Sequence, residues 1–527
     1  MQDAASWTPP TAAKTVDFPG ESGHTAEVPR NPRRRPLTLA STVVLAVLAL
    51  VSELRAEGAL RFEDLSSLLS GPRSPDPKAQ PRHDYGPLWG DFDGDGWIDL
   101  IFMNHGDFPS LYRNRGGLEL VDRFDESGLQ KAEWAYPQQK DRHGAACADF
   151  DNDGDLDIFI THGAKRGETL GIKSDELLAN NGDGTFVDVS EQAGTRNTMG
   201  RARTPVWLDY DGDGWLDLLV GNYISANLLL RNGGGKPFVD TTASLDLGQE
   251  GSAHPSWADV DLDRDPDLLS VGPVDLRRNQ EGGAFQMAQI PGLEAEVPLA
   301  LAVTWGHFDA DALIDAFITS GTASGAASRL FDNESGNLRS RPLDLGLHPK
   351  EGAAGAAAGD LDNDGDVDLA VLGRRQVRLL VNEGDGAFSS QRLEAPGLAP
   401  GYEGDIALAD LNQDGFLDLA ISASDGQHLF GNRQTGEGWL KLLLRGHRSN
   451  ADGLGALVSV AAAGEPTLHR QHLGDSGFYK SVSCAPLHLG TGKRAALDVT
   501  IAWPSGVTQR LRALPASRTV IVAESSQ

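Results

Sequence analysis

Asp91-Phe-Asp-Gly-Asp-Gly-Trp-Ile-Asp99 decides the fold, because the same nine-residue arrangement returns six more times before residue 420. In register the copies begin at Asp91, Asp149, Asp209, Asp259, His307, Asp360 and Asp410, with separations of 58, 60, 50, 48, 53 and 50 residues. A period near fifty marks a repeat array, in which each unit is too small to bury its own apolar face. Acids fall at positions 1, 3, 5 and 9, glycine usually at position 6, and an apolar run such as Leu100-Ile-Phe-Met103 follows at once. Four carboxylates within nine residues repel one another unless a cation sits among them, and an oxygen-only donor set suits a hard divalent ion, Ca2+ before Mg2+. The glycine permits the tight turn. An EF-hand would need a glutamate at position 12 and a helix on either side; position 12 here is Phe102 or Ile160, inside an apolar run.

Each repeat holds more than its loop. A second strand ends in Asn, as in Leu111-Tyr-Arg-Asn114, Leu177-Leu-Ala-Asn180, Leu229-Leu-Arg-Asn232, Leu276-Arg-Arg-Asn279, Leu330-Phe-Asp-Asn333, Leu379-Leu-Val-Asn382 and Leu429-Phe-Gly-Asn432. A glycine turn and a third strand follow, as in Gly182-Asp-Gly-Thr-Phe186-Val-Asp188. With the apolar residues before each loop, every repeat contains four short strands, and seven such units predict an all-β chain built as a seven-bladed β-propeller. The seventh repeat writes no final strand after Asn432, whereas Leu60-Arg-Phe-Glu-Asp64 upstream of the first loop is like Thr185-Phe-Val-Asp188. The N-terminal strand is therefore expected to complete the last blade and remove its open edge.

The 527 residues carry 46 Lys and Arg against 75 Asp and Glu, a formal charge of −29, and 26 of the acids stand at positions 1, 3, 5 and 9 of the loops. No basic stripe offsets them, which makes nucleic acid and anionic membrane surfaces poor partners. The two cysteines, Cys147 and Cys484, fall in different predicted domains, which argues against a disulfide framework. Residues 1–36 read as a disordered leader. Within 37–57, the fifteen-residue apolar run from Leu37 to Val51 is shorter than the ~20 residues a spanning helix needs, so it reads as a signal peptide, or as a retained anchor that would be the only membrane contact. The protein is expected to be exported. The propeller occupies 58–436, and 437–527 form a small β-rich domain with strands such as Gly438-Trp-Leu-Lys-Leu-Leu-Leu444 and Leu497-Asp-Val-Thr-Ile-Ala-Trp503.

The repeats resemble the FG-GAP or VCBS type found in the integrin α-subunit propeller and in many exported bacterial proteins. The resemblance implies that the Asp-rich loop holds Ca2+ through its carboxylates and a main-chain carbonyl at position 7. On this chain those residues are Asp91, Asp93, Asp95, Trp97 and Asp99 in loop one, and Asp149, Asp151, Asp153, Asp155 and Asp157 in loop two. Loop three offers Asp209, Asp211, Asp213, Trp215 and Asp217, and loop four Asp259, Asp261, Asp263, Asp265 and Asp267. Loop six offers Asp360, Asp362, Asp364, Asp366 and Asp368, and loop seven Asp410, Asn412, Asp414, Phe416 and Asp418. Loop four has Arg264 in place of glycine, which forces a left-handed arginine costing roughly 1–2 kcal/mol. Loop five, with His307 first and Ala312 for glycine, is expected to bind an ion weakly or not at all; loops one, two, three and six are expected to be the best sites. The C-terminal stretch resembles the ASPIC/UnbV domain of the cartilage acidic protein family and its bacterial relatives, through Arg448-Ser-Asn-Ala-Asp-Gly-Leu-Gly455, Leu487-His-Leu-Gly-Thr-Gly492 and Trp503-Pro-Ser-Gly506. Where relatives commonly continue Gly-Tyr-Leu-Ser, this chain has Gly477-Phe-Tyr-Lys-Ser481.

Family resemblance supplies no activity. The sequence contains no nucleophile motif, phosphate loop or Cys/His metal set. His105 and His162 follow corresponding strands and read as repeat ancestry, His469 and His472 near Tyr479 as a surface turn, and Trp97 and Trp215 as packing between blades. The expected function is a binding or adhesion module for an extracellular protein or carbohydrate. The alternative is a propeller enzyme, or an accessory subunit, acting on extracellular carbohydrate, which would require a central cleft with convergent acids.

Overall fold

The computed structural model describes residues 59–70, 84–104, 109–129, 142–163, 174–197, 201–223, 225–244, 254–271, 274–280, 283–288, 300–321, 328–344, 346, 352–373, 376–384, 386–393, 398, 404–474 and 481–526. The leader, the apolar segment of 37–57, His105 and Tyr479 lie outside these residues.

Each Asp loop joins the first two strands of a four-stranded antiparallel sheet. In the first sheet Asp84–Gly90 precedes the loop, and Asp99–Asn104, Ser110–Asn114 and Leu120–Asp122 follow in spatial order. Six further sheets repeat this order among the described residues. The strands that precede the loops lie against one another in sequence around a ring, and Asp405–Ala409 of the last sheet lies against Asp84–Gly90 of the first. The chain is thus a β-propeller. Strands just after a loop, such as Asp99–Asn104, are buried throughout, whereas an outermost strand such as Phe388–Arg392 is largely exposed. The seventh sheet takes its outer strand from the other end of the chain: Phe62–Asp64 pairs antiparallel with Gly426–Asn432, setting Phe62 opposite Asn432 and Asp64 opposite Phe430.

The seven asparagines stitch the ring together. Each Nδ2 donates to the position-2 carbonyl of the loop in the preceding blade, at 2.8–2.9 Å: Asn180 to Phe92, Asn232 to Phe150, Asn279 to Tyr210, Asn333 to Val260, Asn382 to Phe308 and Asn432 to Leu361. Asn114 closes the circle by donating to Leu411 in the seventh blade. Removing one such donor leaves a buried carbonyl without a partner, a penalty of about 1–3 kcal/mol. Asn180→Ala is therefore expected to lower the thermal midpoint, whereas a substitution of the exposed Val187 on the same blade should leave it within a degree; equal midpoints would refute the stitching role.

Tryptophans reinforce the ring from within. Trp207, Trp257 and Trp305, each two residues before its loop, donate their indole N–H to Ala146 O (3.3 Å), Trp207 O (3.0 Å) and Ser256 Oγ (2.8 Å) of the preceding blade. The contact between blades expected of Trp97 and Trp215 belongs to this set. Trp97 and Trp215 instead cover Gly116 and Gly234 in the turns of their own repeats, where a Cβ would approach the indoles to 3.1 and 2.5 Å.

The C-terminal domain has two sheets around one core that includes Leu442, Val458, Val499, Ile501 and Trp503. Two of the resemblance motifs meet in it: Glu524 accepts N–H bonds from His447, Arg448 and Ser449 at 2.8–2.9 Å and a bond from the Ser505 hydroxyl. One of its segments enters the propeller. Ser481–Val482 pairs in parallel with Ala145 and Ala146 of the second blade's first strand, and Ser483 and Cys484 bond the Trp89 backbone from the first blade. Cys484 is joined to Cys147 in a disulfide with a Cα separation of 5.9 Å. This corrects the expectation from the sequence: two cysteines 337 residues apart make no framework, but they make one staple between the domains, because Cys147 stands where other blades place the ring-facing tryptophan.

Candidate metal centres

Every loop is built around its position-9 aspartate. One carboxylate oxygen accepts the N–H of position 2, at 2.7–3.2 Å, and the other accepts the backbone N–H of the stitching asparagine, at 2.7–2.9 Å. The pattern holds in all seven blades, including loop five with Asp315. Position 9 is therefore a structural hub as well as a possible ligand. In six loops the position-1 aspartate accepts the N–H of position 6, at 2.8–3.0 Å.

Two left-handed residues make this turn. Position 6 is Gly96, Gly154, Gly214, Gly365 or Gly415, with Arg264 forced into the same conformation at φ 81°. Position 4 is left-handed too, and is filled by Gly94, Asn152, Gly212, Leu262, Asn363 and Gln413. Glycine and asparagine at position 4 were the signal in the sequence for this second constraint. In loop five neither Ala310 nor Ala312 is left-handed, and His307 accepts the Gln471 N–H at 3.2 Å; that loop takes a different turn.

Five loops bring three carboxylates together with ligand oxygens within 4.8 Å of one another: Asp91, Asp93 and Asp99; Asp149, Asp151 and Asp157; Asp209, Asp211 and Asp217; Asp259, Asp261 and Asp263; and Asp360, Asp362 and Asp368. These groups can hold a metal ion. Asp95, Asp153, Asp213, Asp364 and Asp414, all at position 5, are exposed, and Asp265 at position 7 is half-buried; Asp267 takes its hub role rather than joining loop four's trio. Loops five and seven assemble no such trio among the described residues. Burial dominates the electrostatics. It pushes Asp99 and Asp267 up to about 8 and Asp157 and Asp217 up to about 9, outweighing the backbone hydrogen bonds that favour the charged form. In loop six Asp360 Oδ1 is buried without a hydrogen-bond partner, an orphaned acceptor that a hard cation would satisfy.

The C-terminal domain covers this loop face. Asp452 accepts the Asp149 N–H (2.9 Å), Gln471 bonds both backbone groups of Asp259 (3.0 and 3.1 Å), and Arg470 donates to Gly365 O (2.9 Å). Lys441 pairs with Asp410 at 2.6 Å, both side chains buried, and His488 bonds Gly415 O at 2.9 Å. The sequence carried a signal for this. Residues 438–527 hold ten Lys and Arg against five Asp and Glu, a charge of +5, while the remainder holds 36 against 70, or −34; the basic domain sits where the acids are densest. His469 and His472 are not a surface turn: His469 is half-buried on the strand Leu468–Gln471 with Ser459 Oγ 3.0 Å away, and His472 is buried. His162 lies buried beside Glu176 (3.0 Å), which also pairs with Arg142.

Residues 91–160, 169–220, 209–270 and 360–421 match the FG-GAP-like repeat, 404–440 the FG-GAP repeat, and 446–527 the ASPIC and UnbV domain. The chain is an FG-GAP repeat protein with a C-terminal ASPIC/UnbV domain. The chain is weakly similar to cartilage acidic protein 1, at 27% identity in Mus musculus and 28% in Homo sapiens, each over 141 residues and 27% of this chain. The chain spans about a fifth of the length of these relatives, 21% and 20%. In structure this FG-GAP protein is similar to the Bacillus licheniformis rhamnogalacturonan lyase PL11 (14% identity, TM-score 0.37, 67% of this chain and 72% of that one). It is also similar to the V. cholerae biofilm matrix protein Bap1 (11% identity, TM-score 0.32, 82% and 73%). Among the described residues no helix is long and apolar enough to cross a membrane.

Proposed function

We propose that this protein is an exported, calcium-dependent binding module for an extracellular protein or glycan. The observation that carries the reading is the segment Ser481–Val482 paired into the second blade, with the Cys147–Cys484 disulfide beside it. A segment laid along the innermost strands takes the place where an axial catalytic cleft would lie, which favours binding over the enzyme alternative. The disulfide also supports an oxidising compartment, and hence export. Calcium is the ion that best suits clusters of carboxylates and carbonyls on a flexible loop.

A cleft of about 420 Å³ between loops five and six and the C-terminal domain, lined by His307, Asp309, Asp364, His469, Arg470 and Arg494, offers neutral imidazoles among charges of both signs. Burial holds the His307 imidazole down to about 3, with Arg470 adding to the effect. Such a lining suits a polar, hydroxyl-rich ligand. A glycan and protein array probed with the full chain, with and without calcium, tests the proposal. Binding is expected only with calcium, and Arg494→Ala should weaken a glycan that seats in the cleft at least tenfold. Turnover of a carbohydrate without retention on any array would replace this reading by the enzyme alternative.

A further inference from the structure

The loops differ in a way that their acids do not reveal. The residue just before the stitching asparagine is arginine in blades one, three and four, and in each the guanidinium reaches the Asp loop of its own blade. Arg113 Nη1 lies 2.8 Å from Asp93 and 3.5 Å from Asp99. Arg231 pairs with Asp211, and with Asp213 at 2.6 Å. Arg278 pairs with Asp261 and lies 4.0 Å from Asp267. In blades two, six and seven the same position is Ala179, Val381 and Gly431. The seventh loop receives its cation from elsewhere, since Lys441 of the C-terminal domain stands 2.6 Å from Asp410.

We propose that the chain supplies its own cations to loops one, three, four and seven, leaving loops two and six as the principal calcium sites. This rests on the calcium reading above and assigns it to particular loops. The guanidinium takes Oδ2 of Asp93 and of Asp211 and leaves only Oδ1 free, so a Ca2+ ion, which needs several oxygens at about 2.3–2.6 Å, would bind there with fewer ligands and beside a positive charge. The arginines are also held in place. Arg113 is 6% exposed and donates to Gly184 O of the next blade at 2.6 Å, and Arg278 bonds Gly336 O of the next blade. Displacing either one breaks a contact between blades, and displacing Arg113 also strands a buried charge. Loop two has no ion pair among the described residues, and the C-terminal domain sets another acid, Asp452, against it. Loop six has Arg470 at 3.9 Å from Asp360, but that guanidinium spends its hydrogen bonds on the carbonyls of His469 and Gly365 (2.8 and 2.9 Å) and leaves Asp360 Oδ1 without one.

The test is a count of ions on the full-length protein by native mass spectrometry and calorimetric titration with Ca2+. The wild type should hold two ions tightly. Arg231→Gln should add a third, with at least a tenfold gain in affinity at that loop; its side chain is 40% exposed, so the fold should tolerate the change. Arg113→Gln should do the same at loop one, and Asp362→Asn should remove one ion. Circular dichroism on each variant separates lost folding from lost binding. Five ions of similar affinity on the wild type, or an unchanged count in both folded arginine variants, would overturn the proposal while leaving calcium binding intact. A wild type that binds no calcium would overturn both.

Discussion

Deleting Leu60–Ser66 should lower the thermal midpoint by about 3–6 °C and make the protein self-associate. The strand Phe62–Asp64 is the outer edge of the seventh blade, and its neighbours tie it in on both sides. Leu65 N–H donates to Leu429 O (2.8 Å), Arg433 N–H to Arg61 O (2.7 Å), and Gln391 bonds both backbone groups of Leu60 (2.9 and 2.6 Å). Leu60 and Leu65 are 4% and 8% exposed and pack into two different cores, one between blades six and seven and one between blades seven and one. Burying each is worth about 1.5–3 kcal/mol, which for a protein of this size sets the scale of the midpoint shift. The bared edge of Gly426–Asn432 then offers its backbone groups to other chains. Deletion of residues 1–36 should change neither property. A shortened protein that stays monomeric in sedimentation with an unaltered midpoint would mean that the ring is closed by other contacts.

Calcium should blunt the pH dependence of stability. Without the ion, Asp157 and Asp217 titrate at about 9, and Asp99 and Asp267 at about 8, against 3.8 in the unfolded chain, chiefly because burial disfavours the charged form. A carboxyl whose folded-state value lies above the unfolded one keeps a proton that the unfolded chain gives up. Native stability is then lost as pH climbs from about 4 to about 9. Between pH 5 and pH 9, calcium-free protein should accordingly melt highest at pH 5 and lowest at pH 9. Calcium binds only the ionised acids of loops two and six, so in millimolar Ca2+ the midpoint should fall less over the same interval, each site filled at a hundred times its dissociation constant adding about 2.7 kcal/mol. Melting curves over this grid decide the matter: a calcium-free midpoint that rises with pH would show that these aspartates are not the groups that govern stability.

Much of this was legible because it is periodic. Position 9, the glycine at position 6 and the terminal asparagine recur at fixed offsets, and one physical cause accounts for all three: a turn of fixed shape whose backbone groups need fixed acceptors. The closing strand could be read as a missing piece, because a seventh repeat without its outer strand leaves an edge that only Leu60–Asp64 resembles. What escaped was aperiodic. Lys441, Arg470, Gln471 and Asp452 meet the loops from a domain with no repeat, so no offset announces them. Arg113, Arg231 and Arg278 do share an offset, but an arginine on a strand reads as a solvated charge until the blade twist brings it over the acids. The tryptophans were misassigned for a related reason. Trp97 and Trp215 sit inside the motif and draw the eye, while Trp207, Trp257 and Trp305 sit two residues outside it and carry the packing.

The strand Phe62–Asp64 also sets a condition on synthesis. Its partner lies 370 residues downstream, and a ribosome adding about 5–20 residues per second reaches it only after roughly 20–70 s. For that interval the strand emerges first and has nothing to pair with, while blade after blade forms behind it. It is three residues long and flanked or filled by Arg61, Glu63 and Asp64, a composition that discourages pairing with neighbouring nascent chains. A longer or more apolar closing strand would hold the finished ring more firmly, yet it would find the wrong partner on a crowded polysome before the right one had been translated.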